Sequence, residues 1–126
     1  MERDLRSCSG PWTGFWILEL TRGLMKLSLN FSANTIQGSG RDPSGEFEVN
    51  GMFCDNTWKV MFTKSYPSLK VDYSGTWDGH MIYGRWHLED ASYSESGNFE
   101  IWPDKSSEEF TSIEAQLDEF LSMPAG

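Results

Sequence analysis

Asp72, Tyr83, Arg85 and His87 supply a carboxylate, a phenol, a guanidinium and an imidazole within sixteen positions, the raw material of acid–base chemistry. Alternation in this stretch puts all four on one face of a strand pair. If Asp78-Gly79 forms a type I′ turn, Asp72 falls opposite Arg85 and Lys70 opposite His87. A cross-strand ion pair on a wet surface then accounts for them without catalysis. His80 lies beside Trp77 at a turn and has no positioned partner. Cys8 and Cys54 show neither metal-ligand spacing nor a CxxC motif. Phosphate-binding glycine loops and nucleophile motifs are also missing from the chain. The sequence therefore yields no catalytic residue, no metal ligand and no cofactor. The aromatic residues are a better source of binding chemistry, because their faces bury large areas and Trp and Tyr keep a polar handle. Trp16, Trp58, Tyr73, Trp77 and Trp86 are the candidate ligand-binding residues.

What positions these residues is a series of short alternating segments separated by turn signals. A turn at Arg22-Gly23 pairs Leu20 with Met25, Leu18 with Leu27, Trp16 with Leu29 and Gly14 with Phe31, with Glu19 opposite Lys26 on the other face. A turn at Asp55-Asn56 pairs Phe53 with Trp58, Gly51 with Val60 and Val49 with Phe62. The Asp78-Gly79 turn pairs Trp77 with His80, Gly75 with Ile82, Tyr73 with Gly84 and Val71 with Trp86. A one-residue slip in any of these would send the apolar side chains to water. Around Asp42-Pro43-Ser44-Gly45, a fourth hairpin sets Gly40 against Phe47, Gly38 against Val49 and Ile36 against Gly51, where glycine makes room for a bulky neighbour. Pro103 ends the last strand after Trp102.

Together these segments predict an all-β, eight-stranded antiparallel up-and-down barrel over residues 11–103. Residues 1–10 read as a flexible arm. Residues 104–126 read as a C-terminal amphipathic helix packed on the barrel. In that helix Phe110, Ile113, Leu117, Phe120 and Leu121 recur at helical spacing, and Ser106 with Glu109 forms a capping box. The expected inward set runs from Trp16 through Leu18, Leu27, Leu29, Phe31, Ile36, Phe47, Val49, Phe53, Trp58, Val60, Phe62, Val71, Tyr73, Trp77, Ile82, Trp86 and Phe99 to Ile101, with no charged member. A filled core and a small apolar pocket both fit such a set, since eight strands enclose an interior of either kind. The segments Arg41 to Gly45, Ser65 to Ser68 and Glu89 to Ser96 gather the longer connections at one rim, the expected mouth.

A net charge of −9 opposes binding to nucleic acid or to anionic membranes. No secretory leader or membrane-spanning run is evident, so the expectation is a cytoplasmic protein with two reduced thiols. Gly14-Phe15-Trp16 on the first strand, with an eight-strand meander of this length, resembles the calycin barrels, the group of lipocalins and avidin-like proteins. The resemblance implies a Trp laid across the barrel floor and a small hydrophobic ligand bound at the open rim. It carries over no biotin-binding residues. The other functional readings are an interaction or homodimerisation module, using the outer barrel face or the C-terminal helix, and a small barrel isomerase or cyclase.

Overall fold

The computed structural model describes residues 4–104. Residues 1–3 and 105–126 lie outside the described residues, and with them all but the first position of the helix expected over 104–126. A 3-10 helix, Leu5–Cys8, leads into eight strands: β1 Gly10–Leu18, β2 Thr21–Ser32, β3 Thr35–Asp42, β4 Gly45–Phe53, β5 Lys59–Tyr66, β6 Leu69–Trp77, β7 Ile82–Asp90 and β8 Tyr93–Pro103. Each strand pairs antiparallel with the next, and β8 returns to β1, closing the barrel. Among the described residues no helix is long and apolar enough to cross a membrane.

The fourth hairpin has the register its turn chemistry predicts, with Gly40 against Phe47, Gly38 against Val49 and Ile36 against Gly51. The other three are corrected. The first turn lies at Glu19-Leu20, so Trp16 meets Gly23 and Gly14 meets Met25. Leu20, at the tip, is wholly exposed, and Lys26 pairs with Thr13 rather than Glu19. Gly23 makes space instead of turning the chain, because a Cβ there would overlap the Trp16 indole. Phe53 pairs with Val60 and Gly51 with Phe62, since residues 54–58 form a wider loop whose Trp58 amide donates to the Cys54 carbonyl at 2.7 Å. Trp77 pairs with Ile82 and Gly75 with Gly84. Asp78 causes this last change by accepting from the His80 and Met81 amides at 2.8 and 2.9 Å, which holds a four-residue loop open.

Every correction shifts a partner by an even number of residues, so each side chain keeps its face. Sixteen of the nineteen expected inward residues are buried, and Trp16, Leu18 and Trp58 pack half-buried against them. Close strand approach also depends on glycine. At Gly51 an added Cβ would overlap the Met61 carbonyl and crowd the Phe62 backbone. Gly51→Ala should therefore lower stability by about 1–3 kcal/mol through overpacking. Urea unfolding checks this, and an unchanged midpoint would show that the strands can part at no cost.

The two ends of the barrel differ. At one end, the residues read as a flexible arm include the 3-10 helix, whose Leu5 is fully buried and whose Cys8 is nearly so. Beneath it the fully buried Trp12 donates its indole N–H to the Cys8 carbonyl at 2.8 Å, with its ring 5.5 Å from Phe31 and 5.8 Å from Trp77. The opposite end consists of four hairpin tips with two-residue turns, at 19–20, 43–44, 67–68 and 91–92. The longer loops expected there are thus corrected to tight turns.

Candidate functional site

Lys64 extends the inward alternation of Val60 and Phe62 on β5, and its side chain is only 1% exposed. The expectation of an interior without charge is corrected at this point. Its Nζ donates to Asp42 Oδ2 at 2.6 Å and to the Tyr73 hydroxyl at 3.1 Å, and lies 3.4 Å from Met25 Sδ. Tyr66 donates its hydroxyl to the same Asp42 oxygen. The Phe47 ring centroid lies 4.3 Å from the ammonium, a cation–π contact. Asp42 reaches the cluster because it ends β3 at a hairpin tip, where its other oxygen accepts from the Ser44 amide at 2.8 Å.

Burial pushes the Asp42 carboxyl up, but hydrogen bonds from Lys64 and Tyr66 outweigh it and hold the group below the ordinary value. Burial depresses Lys64, and the Asp42 carboxylate restores part of the loss. Tyr66 and Tyr73 are both raised, by burial first; the hydrogen bond to Asp42 comes second for Tyr66, and the Asp42 charge comes second for Tyr73.

These directions give the cluster a pH signature. A raised phenol contributes stability that is fully present below its unfolded value of 10.0 and is lost as pH rises from there toward the folded value. The depressed Lys64 acts oppositely, its cost being relieved as pH rises toward 10.5. Asp42 contributes stability above its unfolded value of 3.8 that is lost as pH falls through the lower folded value. In a spectrophotometric titration, Tyr66 and Tyr73 should therefore ionise only as the barrel unfolds. Ionisation of either phenol with amide dispersion intact would contradict the burial assigned to them.

Phe47 and Tyr66 also line a groove of about 700 Å³ on the wall of β2 to β5 near the hairpin tips. Lys26, Arg41, Glu46 and Glu48 line it as well, with Arg41 paired to Glu46 across β3 and β4. This volume falls within the ~300–1,000 Å³ usual for small-molecule sites.

The five sequence candidates divide between the two ends. Trp16 and Trp86 meet edge to face at 6.3 Å toward the hairpin tips, where the Trp86 indole donates to the Ile17 carbonyl at 3.0 Å. Tyr73 stacks on Phe62 at 4.9 Å and belongs to the Lys64 cluster. Trp77 lies under the 3-10 helix, and Trp58 stacks on Phe53 at 6.2 Å at the same end. Asp72 does not pair with Arg85. Its strand neighbour is His87, and its carboxylate accepts from Thr63 at 2.8 Å. Arg85 donates to Asn98 and Ser96, both at 3.0 Å, while His87 bonds Glu89. All of these project outward, and Lys70 pairs with Ser65 rather than His87. Cys8 and Cys54 are free thiols, the first buried and the second exposed.

Compared with protein-family models, curated proteins and solved structures, the chain matches none.

Proposed function

We propose that this protein is a non-enzymatic calycin-like barrel that binds a small, mainly apolar ligand at the hairpin-tip end. The observation that carries the reading is the groove beside the Lys64–Asp42 pair. Half-buried Tyr66 supplies its aromatic surface, the buried Phe47 backs it, and the buried ammonium lies against both rings. Preorganised aromatic surface with a charged rim favours a ligand that is apolar in bulk and carries one polar group. Rings and aliphatic side chains occupy the barrel centre, including Phe62, Tyr73, Phe99 and Ile101, so the ligand sits at the wall rather than deep inside.

A different triplet from Gly14-Phe15-Trp16 supports the calycin-like reading. Trp16 stands toward the hairpin tips, and it is Gly10-Pro11-Trp12 that lays a Trp across the end covered by the 3-10 helix. This is the arrangement a Gly-x-Trp on strand one implies in lipocalins.

Titration with 1-anilinonaphthalene-8-sulfonate, an apolar probe with one anionic group, tests the site. Saturable fluorescence enhancement is expected in the native protein, weakened at least about tenfold by Ser39→Trp, which fills the groove from its exposed wall. Tyr83→Ala, elsewhere on the barrel, should leave it unchanged. Absence of saturable binding, or sensitivity to Tyr83 in place of Ser39, would overturn the proposal.

The interaction-module reading draws on Met52 and Met61, which pair across β4 and β5 and are both more than half exposed. A dimer seen by sedimentation that Met61→Lys abolishes would favour that reading.

A further inference from the structure

A second groove, of about 460 Å³, runs along the outer wall of β7, β8 and β1 and reaches Arg22 on β2. Phe15, Ile17 and Tyr83 give it apolar surface, and Leu24 and Trp102 adjoin Phe15. Phe15 pairs with Leu24 across β1 and β2, and its ring meets Trp102 at 5.9 Å. Tyr83 flanks them on β7. Leu24 is 57% and Tyr83 45% exposed, although surface strand positions in so acidic a chain would ordinarily be polar. Arg22 and Arg85 stand on β2 and β7, the two outer strands of this wall, level with Ile17 and Asn98, while Glu100 lies in the next row with Phe15 and Tyr83.

From these features we infer that the groove is the docking site of this chain's own C-terminal segment, with residues 106–121 lying along it as an amphipathic helix. Three observations identify the occupant. The segment departs from the edge of the wall, since the Asp104 amide donates to the Pro11 carbonyl at 2.9 Å and its carboxylate accepts from Thr13 at 2.6 Å. The dimensions agree: sixteen helical residues span ~24 Å with a diameter of ~10–12 Å. Three inter-strand steps separate Arg22 from Arg85 by ~14 Å, and β8 is longer than the helix. The charges also agree. At 100° per residue, Phe110, Ile113, Leu117, Phe120 and Leu121 form one stripe, with Glu114 and Asp118 on one flank and Glu109 on the other. Seated in the groove, those flanks would meet the two guanidiniums that border it, and residues 106–121 contain no basic residue to oppose them. Arg22 lies over the Phe15 ring at 4.3 Å, which leaves its outward N–H groups for a carboxylate.

The test uses the full chain with Cys54→Ser and Ala115→Cys, carrying a nitroxide at 115, the side away from the stripe. Amides of Phe15, Ile17, Leu24, Tyr83 and Asn98 should be strongly broadened, and those of Met52 and Met61 should not. Broadening should weaken in R22E/R85E, whose substitutions are exposed, while amide dispersion is kept. Broadening centred on β4 and β5, none above a free-nitroxide control, or an effect seen only when labelled chains are mixed with isotopically enriched unlabelled ones would each overturn the assignment. The last would place a second copy in the groove.

Discussion

Replacing Lys64 by methionine is expected to lower the stability of the barrel by about 3–5 kcal/mol, although the substitution removes little volume. The loss arises at Asp42, whose side chain is fully buried and whose nearest partner is the Lys64 ammonium at 2.6 Å. Without that cation the carboxylate keeps only the Tyr66 hydroxyl and the Ser44 amide, and it must either remain uncompensated or take up a proton. Adding Asp42→Asn to Lys64→Met should restore most of the loss, because breaking one side of a buried pair costs far more than replacing both. Urea unfolding of the two single variants and the double variant measures the coupling. Additive losses would show that the pair is not a unit. A fully stable Lys64→Met would show that the ammonium lies in solvent.

The second large effect is expected at the covered end. Trp12→Ala should cost about 3–5 kcal/mol, the range for deleting a buried Trp. It also removes the indole N–H that tethers the Cys8 carbonyl. The ion pair of Arg6 with Asp55, 3.3 Å long and exposed at both partners, is too weak a substitute to hold the 3-10 helix. Thiol titration reads the release directly. In the parent protein Cys54 should react promptly and Cys8 slowly, whereas in the variant both should react promptly. Slow reaction of Cys8 in a variant shown to be folded would mean that Leu5 alone holds the helix down.

Side-chain faces were legible in the sequence and three of the turns were not. Alternation decides which way Val49, Phe62 or Trp86 points, and any even shift preserves it. The turns depend on a competition the composition does not display. Gly23 resembles a turn residue, yet it is needed as a gap beneath Trp16. The chain turns instead at Glu19, which takes a positive φ of 55°. Asp78-Gly79 resembles a two-residue turn, yet the Asp78 carboxylate captures two amides and lengthens the loop. Asp42-Pro43-Ser44-Gly45 meets no such competition, and its register follows from its residues.

The candidate site was half legible. Tyr73 was among the expected binding residues, and the run Val60, Phe62, Lys64, Tyr66 places the lysine inward by alternation alone. That signal is easily outweighed by the rarity of buried lysine. What makes the burial tolerable, the carboxylate of Asp42, lies 22 positions away in sequence and is brought near only when β3, β4 and β5 pair. The groove is likewise a product of closure, since its walls come from four strands.

The most direct test of ligand binding beside the buried pair is an amide chemical-shift map recorded during addition of the anilinonaphthalene probe. Binding at the hairpin-tip groove predicts shifts confined to Lys26–Ser28, Ser39–Arg41, Glu46–Glu48 and Ser65–Tyr66. Shifts centred on Trp12, Trp58 and Trp77, or no shifts at saturating probe, would contradict it.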